Sequence, residues 1–175
     1  MRNVKKITIF AMLFCFLMTC TAWANVPAWE SVPGHHGESV LLDEDVTSAE
    51  DSFHQYGRGE YLSTGSVEIR NYGDGSIYIC VDTFAYRFVD RIVHHVFLEY
   101  WDEDYEDWVQ VGDWGFEQTK EETPDGELGH LTNTLTLTGY PTGLYYRVRG
   151  LHGVEFNGEL EACATRTNGV LITDR

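Results

Sequence analysis

SVEIRNYGDGSIYICV, Ser66 to Val81, is the stretch on which the fold turns. Val67 and Ile69 alternate with polar neighbours, Gly73-Asp74-Gly75 interrupts, and Ile77, Ile79 and Val81 resume the alternation. A strand sends successive side chains to opposite faces, so a period of two with one apolar phase marks a strand that is dry on one side only. A glycine-rich turn between two such runs reverses the chain. The stretch therefore reads as an antiparallel hairpin.

The same texture runs outward from there. Asp90 to Tyr100 carries Ile92, Val96 and Leu98 in one phase. Further runs are expected at Trp108 to Phe116, Leu131 to Thr138, Leu144 to Leu151, Glu159 to Thr165 and Val170 to Thr173. In LTNTLTLTGY, Leu131, Leu135 and Leu137 share a phase in which Asn133 is the only polar member, while Thr132, Thr134, Thr136 and Thr138 take the other. Apart from the first two dozen residues, no window holds a helical stripe. Half-buried sheets bury their dry face against a second sheet. The fold class expected is all-β: an antiparallel immunoglobulin-like β-sandwich of seven or eight strands over residues 59–175.

The N-terminal end has a different character. Arg2, Lys5 and Lys6 precede an apolar run from Ile7 to Cys20, and Ala22-Trp23-Ala24 supplies the small residues that precede a cleavage point after Ala24. That pattern is a secretory signal over residues 1–24, too short to span a membrane, which takes about 20 apolar residues. Thr19 before Cys20 argues against a lipid anchor there. Residues 25–58 are acidic, with seven carboxylates between Asn25 and Gly57 and no Lys or Arg in that interval. Their apolar residues are sparse and without period, so this segment is expected to be largely flexible or loosely packed, with at most a short strand at Ser39 to Leu42.

Composition narrows the partners. The full chain has 12 basic and 28 acidic residues. Loss of residues 1–24 removes three of the former and none of the latter, leaving a charge of −19. Such a surface repels phosphate backbones and anionic lipid, so no nucleic acid and, after cleavage, no membrane is expected as a partner. Two cysteines then remain, Cys80 and Cys163. In an exported chain they suggest one disulfide, worth about 4 kcal/mol on the chain-entropy model. Against it, Cys80 is out of phase with Ile77, Ile79 and Val81, and Cys163 with Leu160, Ala162 and Ala164. If those aliphatic residues face the core, both sulfurs point away from it. The pairing stays open at this level.

Two resemblances follow. YPTGLYYRVRG, Tyr140 to Gly150, resembles the corner before the sixth strand of immunoglobulin-like domains, where a tyrosine two residues after a glycine bonds back to the main chain. Gly143 and Tyr145 have that spacing, but Arg147 stands where antibody domains carry cysteine. More broadly, GSVEIRNYGDGSIYI, Val89-Asp90-Arg91, GLYYRVRGLH and GELEACATRTNGV together resemble the small exported proteins of Gram-positive bacteria built on an uncharacterised β domain. The likeness covers about Gly59 to Thr173. It implies a compact β domain and a secreted, extracellular setting, and brings no activity or catalytic residues.

The densest candidate site is WDEDYEDW, Trp101 to Trp108, between two expected strands. Asp102, Asp104 and Glu106 alternate as weak calcium ligands would, but no sharp-turn glycine or distal bidentate glutamate accompanies them. A charged hairpin tip solvated by water accounts for the same residues. The flanking rings are more informative. Trp101, Tyr105, Trp108 and Trp114 crowd one hairpin with Tyr100 and Phe116, and alternation cannot bury them all. Exposed rings stack on sugar faces or anchor a protein. His94 and His95 point to opposite faces of a strand and cannot chelate one ion, while His94 shares the inner phase of Ile92 and Val96. Arg147 and Arg149 share one strand face in a chain poor in cations and are expected to pair with carboxylates. No nucleophile elbow, zinc-protease motif or phosphate loop is present, and neither a catalytic set nor a cofactor is assigned. The reading is a non-catalytic binding module for an extracellular glycan or protein. The alternatives are an envelope assembly component and, less favoured, a hydrolase using paired carboxylates.

Overall fold

The computed structural model describes residues 27–55 and 59–175. The expected signal at 1–24 lies outside the described residues. The fold is an all-β sandwich of two antiparallel sheets. Nine strands are present among the described residues: β1 (Ser48–His54), β2 (Leu62–Asn71), β3 (Ile77–Ala85), β4 (Arg91–Asp102), β5 (Asp107–Thr119), β6 (His130–Leu137), β7 (Leu144–Phe156), β8 (Glu159–Arg166) and β9 (Val170–Ile172). One sheet runs β1-β2-β3-β6 and the other β5-β4-β7-β8, with β9 also paired to β7. An antibody constant domain has sheets ordered 1-2-5-4 and 3-6-7. Against that plan this chain adds a strand ahead of β2 and keeps β5 on the sheet of β4. Among the described residues no helix is long and apolar enough to cross a membrane.

The hairpin over Ser66 to Val81 forms as its alternation requires. Val67 pairs with Val81 and Ile69 with Ile79 across β2 and β3. Gly73 and Gly75 both take positive φ, 76° and 78°, and Asp74 accepts hydrogen bonds from the Ser76 main chain and hydroxyl. The inner residues of β2 and β3 close on Val96, Leu98, Val148, Val170 and Ile172 from the opposite sheet. Burying one such side chain contributes about 1.5–3 kcal/mol, so this layer is the main source of cohesion.

Four expectations are corrected, and the pairing of Cys80 with Cys163, left open by the sequence, is resolved. The segment over residues 25–58 is not loose where it is described. Trp29 is buried on Leu151 and Ala164, and its indole donates to the carbonyls of Gly150 (3.1 Å) and Thr165 (3.3 Å). Gly34 and Leu41 then form parallel bridges to Ala164 and Gly169, and β1 completes the edge beside β2. Ser39 to Leu42 is thus a bridged segment rather than a strand. The N-terminal segment attaches through its backbone and one tryptophan, which leaves no periodic pattern in the sequence.

The corner tyrosine is Tyr146, not Tyr145: its hydroxyl donates to the Pro141 carbonyl at 2.8 Å and its ring is buried. No disulfide forms between Cys80 and Cys163, which are free thiols on different sheets. Cys80 faces outward as its phase requires. Cys163 faces the interior, and Ala162 and Ala164 face outward under the cover of Trp29 and Val32. A covered outer face carries apolar residues too, and that inverts the phase reading of β8. Burial pushes the thiol of Cys163 up to about 12 and that of Cys80 up to about 11.

Candidate functional site

The outer face of the five-stranded sheet gathers the unusual chemistry. Register puts Glu99 beside both Gln110 and Arg147, Phe97 beside Arg149, and Arg149 beside Arg166. Three of the chain's few cations thus stand on adjacent strands β7 and β8, facing the same way. Like charges this close need a counter-ion, and Glu99 supplies it. Its carboxylate meets Arg147 Nε at 2.7 Å and Arg149 Nε at 2.9 Å, with Glu99 and Arg147 only 5% and 8% exposed. The expected pairing of these arginines with a carboxylate is therefore found. Burial lowers the guanidinium of Arg147, Glu99 opposes that, and Arg166 and Arg149 add to it.

Arg166 is the third cation and has no ion pair among the described residues. Its Nη2 is buried without a hydrogen-bond partner. Burial also lowers its pKa, and Glu99 opposes this through longer-range attraction.

Aromatic rings interleave with these charges. Arg147 stacks over Trp108 at 4.3 Å from the ring centroid, Arg149 over Phe97 at 4.8 Å and Trp29 at 5.0 Å, and Arg166 over Trp29 at 5.5 Å. Desolvated contacts of this type are worth about 2 kcal/mol and hold the guanidinium planes in fixed orientations. Trp101 and Trp108 pair directly across β4 and β5, with centroids 5.4 Å apart and rings steeply inclined, edge to face. Gly169 makes the placement of Trp108 possible, since a Cβ there would come within 2.6 Å of the indole.

Two hollows open on this face. One, of about 320 Å³, has Trp101, Trp108, Arg147 and Arg166 as walls and floor and Glu106, Asp107, Glu38 and Ser39 at its margin. The other, of about 560 Å³, lies against Trp29, Phe97, Arg149 and Asp113. Pockets for small ligands begin at about 300 Å³ and combine apolar walls with a few convergent polar groups. The larger hollow is the more open; the smaller carries the richer set of recognising groups.

The hairpin residues separate in the structure. Trp101 and Trp108 belong to the smaller hollow together with Glu106. Trp114 does not: it packs inward against the main core. Tyr105 stands 80% exposed at the hairpin tip, outside the residues lining either hollow. Asp102, Asp104 and Glu106 do not assemble a cation site, and among the described residues no three His, Cys, Asp or Glu side chains do. Asp102 instead accepts the backbone N–H groups of Asp104 and Tyr105, which shapes the turn, and Glu106 sits at φ 50°. Trp29, Phe97, Glu99 and Arg166 escaped the sequence reading. The alternation of Arg147 and Arg149 was the available signal, and a third arginine on a neighbouring strand completes it.

A second polar cluster lies between the sheets. His94 and His152 are register partners, both buried. Thr83 touches His94 Nε2 at 2.7 Å and His152 Nδ1 at 3.0 Å, His94 Nδ1 meets Asn133 at 2.8 Å, and His152 Nε2 meets Thr165 at 2.8 Å. One assignment satisfies every group: His94 Nδ1–H donates to Asn133, Thr83 donates to His94, His152 Nδ1–H donates to Thr83, and Thr165 donates to His152. Both imidazoles are then neutral. Burial agrees, lowering His94 to about 4 and His152 well below its ordinary value. Asn133, the polar member of a leucine phase, is explained by this network. The cluster is enclosed and satisfied, and its role is to fix the register of the two sheets.

Comparison with known families adds one result. A family model covers residues 30–170, described as a family of unknown function (DUF6147). The chain belongs to that family. The DUF6147 match begins at Glu30, next to the anchoring Trp29, and ends at Val170 in β9, so it takes in Arg147, Arg166, Trp101 and Trp108. No curated protein matches the chain.

Proposed function

We propose that this DUF6147 protein is a secreted, non-catalytic binding module that holds a saccharide in the smaller hollow on the outer face of the five-stranded sheet. One observation carries the reading: Trp101 and Trp108 meet Arg147 and Arg166 in a single cleft of about 320 Å³, with carboxylates and a serine at its margin. Indole faces offer apolar area to the C–H face of a sugar ring, while fixed carboxylates and guanidinium groups bond its hydroxyls. Groups already held by Glu99 and by stacking lose little freedom on binding.

Intrinsic fluorescence with a panel of oligosaccharides tests this. A saturable change is expected with at least one sugar, abolished in Trp108→Ala and retained in Tyr72→Ala, in the turn between β2 and β3. A spectrum unchanged across the panel would count against saccharide binding.

A further inference from the structure

The character of the cleft goes further than its shape. Resting on the saccharide reading above, we infer that the ligand is an acidic saccharide, one whose ring carries a carboxylate, and that Arg166 is the residue that receives it.

Two cations, Arg147 and Arg166, stand in this cleft of a strongly negative chain, beside the lining carboxylates Glu38, Glu106 and Asp107. Among the described residues, Arg147 and Arg149 pair with the buried Glu99, Arg149 also lies 3.4 Å from the exposed Glu30, and Arg166 is attracted by Glu99, Asp51 and Glu38 only at longer range. Arg147 donates its Nε–H to Glu99, and Arg149 Nε lies 2.9 Å from the same carboxylate without hydrogen-bond geometry. Arg166 lines the cleft with no ion pair among the described residues, and its Nη2 is buried with no hydrogen-bond partner. The Arg166 side chain is only partly buried and meets the cleft without a fixed counter-ion, and a carboxylate, which matches the planar fork of a guanidinium, supplies one.

The margin excludes simpler anions. Glu38, Glu106 and Asp107 border the same cleft. They repel a bare inorganic anion, whose charge is spread over its whole surface. They suit a molecule with its charge at one end and hydroxyl donors at the other, since ionised carboxylates only accept hydrogen bonds. The tryptophan pair adds a wall for a ring. Charge at one end, hydroxyls at the other and an apolar ring face between them describe a sugar acid.

Calorimetric titration of the protein with carboxylated oligosaccharides, both hexuronic and nonulosonic, against the same sugars as methyl esters and against sodium sulfate, tests the inference. The acid forms are expected to bind about tenfold or more tightly than their esters. Arg166→Gln should remove that preference while leaving the weak affinity for the ester, and Arg166→Lys should restore part of it. Arg70→Gln, on the other sheet, should change neither. Equal affinity for acid and ester would overturn the acidic ligand and leave saccharide binding standing. Binding of none of the sugars would overturn both. Sulfate binding as tightly as the acids would show an anion site without sugar recognition, and would also overturn the inference. If Arg166→Gln fails to fold, the ratio of acid to ester affinity on the unaltered protein still separates these outcomes.

Discussion

On the outer face of the four-stranded sheet, Thr132, Thr134 and Thr136 of β6 lie across from Asp82, Cys80 and Tyr78 of β3. On the outer face of the five-stranded sheet, Arg147, Arg149 and Arg166 are interleaved with Trp108, Phe97 and Trp29. Both faces come from the same alternation, and both inner faces feed one core. They differ in cover. The threonine face meets water along its length, and its charged groups make pairs such as Glu68 with Arg70, both partly exposed. The arginine face is covered in part, by Trp29 of the N-terminal segment against Arg149 and Arg166 and by Trp108 against Arg147, with Glu99 and Arg147 in a buried ion pair and hollows around them. A short covering segment thus turns an ordinary sheet surface into a shaped and charged one.

The largest expected effect breaks that difference at its centre. Glu99→Ala leaves buried guanidinium groups without a counter-ion and should cost about 3–5 kcal/mol, whereas Glu68→Ala on the threonine face should cost less than about 1 kcal/mol. Urea unfolding of the two variants measures both. Equal losses would mean that the two faces are equivalent after all.

Acid probes the interior that both faces share. The His94 imidazole, pushed down to about 4 by burial, takes up its proton in the unfolded chain before the folded one. Stability is therefore full above about pH 6.5 and is lost as pH falls toward 4, by about 3 kcal/mol for His94 alone. His152 adds in the same direction. In His94→Gln the slope across that window should be shallower, even if the variant is less stable overall. An unchanged slope would place the acid sensitivity elsewhere.

A smaller effect concerns the space given to His152. A Cβ on Gly65 would lie 2.5 Å from its ring and 2.8 Å from the sulfur of Cys163. Gly65→Ala should cost about 1–3 kcal/mol by overpacking, with the cleft intact. Thermal unfolding with and without a bound sugar separates the two properties.

Some of this is plain in the sequence and the rest is hidden for physical reasons. Eight of the nine described strands are legible, most of them because they bury one face and so alternate, β9 because Val170–Ile172 is a short buried apolar run. β1, SAEDSFH, is not: it is an edge strand carrying only Ala49 and Phe53 as apolar residues, and its place comes from backbone pairing with β2. The anchoring of Trp29 is equally silent, since one residue makes no period. Cys163 and Thr165 were hidden by Ala162 and Ala164, whose apolar character belongs to the roofed outer face. Trp101 and Trp108 could be found from crowding of rings, yet crowding alone could not separate them from Trp114. A bulge between Leu98 and Glu99 shifts the register of β4 on β5, so Trp108 faces out while Trp114 faces in. The arginine cluster is visible only as two alternating residues on β7. Its third member lies on β8, brought alongside by pairing that no local pattern reports.

The central claim is that ligand is received on the roofed face and not on the bare one. The indole N–H resonances of Trp29, Trp101, Trp108 and Trp114 test it directly, because each reports a separate position. On titration with the tightest sugar of the panel, the Trp101 and Trp108 signals are expected to move together, with Trp114 in the core unchanged. Saturable binding that leaves both of those signals still and perturbs residues of the threonine face instead would contradict it.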